Sequence, residues 1–87
     1  MSNLSVDTIE TTANAWTGAK GQTGGATKIK VTGTFNGMSI GGNVPVDISG
    51  DAWTAKVIGG DGNFTPPGKL VVTAEADGEK ASKTKDV

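Results

Sequence analysis

The side chains able to do chemistry in this chain are its carboxylates, its lysines and two tryptophans, because the sequence contains neither His nor Cys. Without an imidazole or a thiol, no Ser-His-Asp or Cys-His relay can be assembled and no cysteine metal site can form. A carboxylate pair could still hydrolyse a glycosidic bond, and Asp47, Asp51, Asp61, Glu75, Asp77 and Glu79 supply nominal pairs. Asp47 and Glu75 occupy outward positions of alternating runs and the others flank turn residues, so solvated charge is their expected role. Asp61 and Asn63, or Asp7 and Glu10, could offer oxygens to Ca²⁺, but a calcium site takes about six to eight ligands. No full acidic loop is present, and Asp61-Gly62-Asn63 reads as turn chemistry. The stretch Gly59-Gly60-Asp61-Gly62-Asn63 lacks the Lys-Ser/Thr and the following helix that would cradle a phosphate. The expectation is a non-enzymatic chain with no cofactor and no catalytic or metal-binding residue. Trp16, Lys28, Lys30 and Lys56 remain as candidates for contact with a partner.

Those residues must be held by a small frame. At 87 residues the chain is one domain, spanning 1–87, and a domain of this size hides only roughly 60% of the surface its unfolded chain exposes. With two Trp, two Phe and no Tyr, the core is thin and suits two facing sheets better than packed helices. The absence of Cys leaves the redox compartment open. No run approaches the ~20 apolar residues needed to cross a bilayer, and the start has neither the basic nor the apolar region of an export signal. Eight Lys against nine acidic residues give a net charge of −1, and Arg is missing. Neither nucleic acid nor an anionic membrane is therefore an expected partner.

The periodicity is that of strands. In Lys28–Phe35, Ile29, Val31 and Phe35 alternate with Lys and Thr, predicting one core face and one solvent face. Asn36-Gly37 predicts a type I′ hairpin turn, with Met38 to Ile40 returning. Gly41-Gly42 breaks the return before Val44, Val46 and Ile48 alternate with Pro45 and Asp47, and the missing N–H of Pro45 predicts either an edge strand or a non-paired position for Pro45. Trp53, Ala55 and Val57 point inward from the next strand, with Trp53 as the core centrepiece and a loop carbonyl as acceptor for its indole N–H. Gly59–Gly68 is a loop over one end, which Phe64 plugs. Lys69–Ala76 buries Leu70, Val72, Ala74 and Ala76. Asp77-Gly78 is a second hairpin turn, leading to a Lys-rich edge strand over Glu79–Val87. Leu4, Val6 and Ile9 suggest a first strand, whereas Gly18–Gly25 reads as a mobile loop, making residues 1–26 a partly flexible strand and arm. Trp16 either seals the sandwich or stands exposed as a contact residue, with sealing favoured.

The succession Val31-Thr32-Gly33-Thr34, the Asn-Gly turn, Val44-Pro45-Val46-Asp47, Trp53-Thr54-Ala55-Lys56-Val57 and Leu70-Val71-Val72-Thr73-Ala74-Glu75-Ala76-Asp77-Gly78 resembles bacterial and phage immunoglobulin-like domains of the Big type. The likeness covers about Lys28 to Lys85 and implies an immunoglobulin-like β-sandwich of about seven antiparallel strands. The Pro-containing linker expected between tandem repeats and the antibody-type Cys…Trp…Cys signature are both absent. With that topology, the strand bearing Lys28 and Lys30 pairs with the one bearing Lys56, gathering the three lysines into a basic stripe on one outer face. Asp47, Glu75 and the last strand's lysines then share the other face. The resemblance implies a scaffold for adhesion, spacing or attachment to a virion surface. The Met1 start and the end after the last strand favour a complete small phage protein made in the host cytoplasm, a capsid decoration or other accessory surface subunit of the virion. Its expected partner is a capsid or other virion protein, homo-oligomerisation on the particle remains open, and residues 1–26 are its adaptable arm. The alternative is a repeat of a bacterial adhesin at the cell surface.

Overall fold

The computed structural model describes residues 3–12, 15–41, 43–58 and 64–87. These form eight strands: β1 (Thr8–Thr11), β2 (Trp16–Gln22), β3 (Lys30–Phe35), β4 (Met38–Ile40), β5 (Val46–Ser49), β6 (Ala52–Lys56), β7 (Lys69–Ala76) and β8 (Glu79–Asp86). They make two antiparallel four-stranded sheets, ordered β1-β2-β6-β5 and β4-β3-β7-β8. This is the strand order of an immunoglobulin sandwich, with β4 as the extra strand beside the three-stranded sheet of the constant type. The eighth strand is one more than the approximate seven expected.

Turn chemistry sets the two hairpins of the β4-β3-β7-β8 sheet. Asn36 and Gly37 have φ of 51° and 86°, and Asp77 and Gly78 have φ of 51° and 80°, as the two positive-φ positions of type I′ turns require. Asn36 also accepts a hydrogen bond from the Lys69 N–H through its side-chain Oδ1, at 3.0 Å, tying the first turn to the start of β7.

The core forms where the inward faces meet. Val31, Phe35, Ile40, Leu70, Val72 and Ala74 come from one sheet and Ile9, Trp16, Ala19, Trp53 and Ala55 from the other, all buried. Phe64 closes one end, its ring centroid 4.9 Å from that of Phe35. The Trp53 indole donates to the Ser5 carbonyl at 2.9 Å, so the expected acceptor is supplied by the segment before β1.

Residues 16–22 correct the expectation of a mobile N-terminal arm: they form β2, an interior strand hydrogen-bonded between β1 and β6. Its glycines are present for space. A Cβ on Gly21 would lie 2.7 Å from two ring atoms of Trp53, and one on Gly18 would lie 2.6 Å from the Ala55 carbonyl oxygen. The alternation is also broken by a bulge, since Glu10 pairs with Gly18 but Thr11 pairs with Trp16, leaving Thr17 as the extra residue. A second correction concerns Ile48. It pairs with Trp53 and so faces the core side, but β5 is the sheet edge and Ile48 stays 37% exposed. Leu4, Ile29, Val44, Val46 and Val57 are half-buried against the core.

Candidate interaction surface

Trp16 is not a surface anchor. It is 1% exposed, its indole N–H donates to the Gly18 carbonyl at 2.8 Å, and its ring crosses the core to lie over Gly33 of the opposite sheet. A Cβ there would come within 2.5 Å of the ring. Sealing of the core, the favoured alternative for this residue, is the role the structure gives it.

The basic stripe does not form. The connection through residues 23–29 crosses from one sheet to the other, so β3 pairs with β4 and β7, while β6, which carries Lys56, pairs with β2 and β5. Lys56 therefore lies on the outer face of the other sheet, beside Gly18 and, one strand further, Glu10. On the same face Lys20 and Asp47 flank Thr54. Asp47 and Glu75 lie on different sheets, which corrects their expected shared face as well. The charges of the β1-β2-β6-β5 face are mixed and give no extended field of one sign.

Lys28 and Lys30 do stay together. With Ile29, Glu75, Asp77 and Gly78 they line an open depression of about 420 Å³ beside the β7–β8 turn. Lys30 pairs with Glu75, which pairs with Lys80, and the Lys80 Nζ lies 3.7 Å from a Glu75 carboxylate oxygen with both side chains solvated. An exposed pair of this kind contributes less than about 1 kcal/mol. The row fixes local charge order more than stability.

Next to this row lies a surface that sequence reasoning left unassembled. The register places Thr32, Thr73 and Ser82 in one row and Thr34, Val71 and Thr84 in the next, with Ser39 beyond Thr34. Successive outward residues of a strand stand two positions apart, so the face is a lattice of hydroxyls around one valine. Charge appears at its margins, in the Lys30–Glu75–Lys80 row at one end and the Lys69–Asp86 pair at the other. The signal available in the sequence is the repeated spacing Thr32-x-Thr34, Val71-x-Thr73 and Ser82-x-Thr84.

Asp61 and Asn63, the calcium candidates, lie outside the described residues. Asp7 accepts a 2.8 Å hydrogen bond from the Ser5 hydroxyl. Among the described residues no group of three or more acidic side chains is placed to hold a metal ion, and no helix is long and apolar enough to cross a membrane. Compared with family models, curated proteins and solved structures, the chain matches none of them.

Proposed function

We propose that this chain is a non-enzymatic structural and binding module of the bacterial and phage immunoglobulin-like type, acting as a capsid decoration or other accessory surface subunit of a phage virion. The observation that carries the proposal is the outer face of the β4-β3-β7-β8 sheet. Its hydroxyl lattice, charged only at the margins, can be dried against a protein surface without stranding a charge, and its hydroxyls can donate or accept across the contact. The large side chains behind it are committed to the core, so the face is backed by a rigid sheet. The strand motifs around Thr32-Gly33-Thr34, Trp53 and Thr73-Ala74-Glu75 support the bacterial and phage type. The mixed-sign surface and net charge of −1 favour neither nucleic acid nor an anionic membrane.

The experiment is co-sedimentation of the purified protein with phage particles that lack their accessory subunit. Saturable binding that survives moderate salt is expected, and failure to sediment with the particles would overturn the virion proposal. A second reading, a repeat of a bacterial surface adhesin, draws on one feature. The Ser5 N–H bonds Gln22, at the end where β2 crosses to β3, whereas Val87 exchanges hydrogen bonds with Gly68 at the opposite end. A chain that enters at one end and leaves at the other suits a string of domains. The flanking coding sequence separates the two readings, since an adhesin repeat is embedded in a much longer open reading frame.

A further inference from the structure

The two open sides of the sandwich are built differently. The Nζ of Lys85 on β8 donates to the Ile9 carbonyl of β1 at 3.3 Å, which sets β8 over β1 and, by the sheet orders, β4 over β5. On the β1/β8 side the edge is guarded: Lys83 and Lys85 pair with Val72 and Leu70, so both project toward the core side of the edge strand. Inward-pointing charges of this kind block the addition of another strand. Among the described residues the β4/β5 side has no such guard. The exposed large hydrophobics among the described residues, Met38, Ile48 and Ile58, belong to β4, to β5 and to the bridge between Ile58 and Asn43 beside them.

On β5 the free edge groups can be identified. The Lys56 N–H donates to the Pro45 carbonyl at 3.1 Å, so residues 45, 47 and 49 turn their backbone groups toward β6. Val46 and Ile48 therefore turn theirs toward the open edge, by the alternation of an antiparallel ladder. Two copies paired across a two-fold axis must keep core-side residues opposite core-side residues, which leaves registers centred on Val46, on Asp47 or on Ile48. Centring on Asp47 sets two carboxylates directly opposite, an unfavourable pair. Centring on Ile48 sets Ile48 against Ile48 on the axis, exchanges two backbone hydrogen bonds between them, and places Asp47 opposite a Ser49 hydroxyl that can donate to it. Centring on Val46 sets Asp47 opposite Pro45, which offers the carboxylate no donor, so the Ile48 register is the most complementary of the three.

We propose that the β5 edge is a self-association surface, joining two copies of this chain in an antiparallel seam with Ile48 on the two-fold axis. The proposal stands apart from the particle-binding function and needs only the purified protein. The chain has no Cys, so single cysteines report the register. The Cα separation of a hydrogen-bonded antiparallel pair, about 5.5 Å, falls within disulfide range. With oxidised glutathione as the oxidant, Ile48→Cys is expected to give a linked dimer at least about tenfold faster than Thr54→Cys, which faces outward from the interior strand β6; tenfold is the factor of roughly 1.4 kcal/mol of association. A mixture of Asp47→Cys and Ser49→Cys should link to each other in preference to themselves. Sedimentation equilibrium of the unmodified chain should show a dimer growing with concentration, abolished by Ile48→Lys without loss of the thermal transition. Linking of Ile48→Cys no faster than Thr54→Cys would overturn the seam, and preferential self-linking of Asp47→Cys would overturn its register.

Discussion

Replacing Gly21 by Ala has opposite signs in a mobile Gly18–Gly25 loop and in the strand Trp16–Gln22. In a mobile loop, Gly→Ala stabilises by about 0.4–1 kcal/mol, because it removes freedom from the unfolded chain. In β2 the new methyl would sit 2.7 Å from Cε2 and Cζ2 of Trp53 and against the Ser5 carbonyl oxygen. That oxygen is the acceptor of the Trp53 indole N–H. Relieving the overlap must move either a fully buried ring or the segment that caps it. Overpacking costs about 1–3 kcal/mol, and loosening the bond of a buried indole adds about 1–3 kcal/mol. A loss of roughly 2–6 kcal/mol in a domain this small lowers the melting temperature by at least about 8 °C, at about 4–8 °C per kcal/mol. Urea denaturation followed by tryptophan fluorescence and a thermal melt both measure it. An unchanged or raised midpoint would refute the placement of Gly21 beneath Trp53.

Four further outcomes are expected. Trp53→Ala should cost about 3–5 kcal/mol, read as a collapse of the thermal transition. Thr23→Val removes the hydroxyl that accepts the Gly25 N–H at 3.2 Å and should lower stability by about 0.5–1.5 kcal/mol in denaturant titration, since the side chain is buried but the loop backbone is not. Glu75→Gln removes a solvated pair and should change stability by less than about 1 kcal/mol, with little salt dependence left to lose. Replacing Lys83 and Lys85 together by Val should raise light scattering at high concentration, because the β8 edge then lacks its inward charges.

The parts of this fold that can be read from the chain are those where size and period agree. In Lys30–Phe35 and Lys69–Ala76 the apolar residues Val31, Phe35, Leu70, Val72 and Ala74 keep to the inward positions of period two, and Asn36-Gly37 and Asp77-Gly78 mark the turns. β2 has the opposite character. Its inward residues after Trp16 are Ala19 and Gly21, small because the rings of Trp16 and Trp53 fill the space that larger side chains would take. The bulge at Thr17 shifts the alternation as well, so a strand at the heart of its sheet carries the composition of a loop. The lysine stripe failed for a different reason. Lys30 and Lys56 lie on strands that local periodicity marks and Lys28 just before one of them, but which strands are neighbours depends on the crossing through residues 23–29, a long-range choice that no local pattern encodes. The hydroxyl face needed the same information: its spacing is visible in three separate runs, and only the pairing of β3, β7 and β8 makes it a surface.

The surface proposed to meet the particle is the outer face of the β4-β3-β7-β8 sheet. Thr32 and Ser82 stand exposed on that face, on either side of Thr73, and Thr54 stands exposed on the outer face of the other sheet. The direct measurement is co-sedimentation with subunit-lacking particles of three forms of the protein: unmodified, Thr32→Glu with Ser82→Glu, and Thr54→Glu. Circular dichroism melts confirm that each is folded. The double variant is expected to stay in the supernatant while Thr54→Glu sediments like the unmodified chain. Equal sedimentation of the double variant, or loss of binding with Thr54→Glu alone, would contradict the proposed surface.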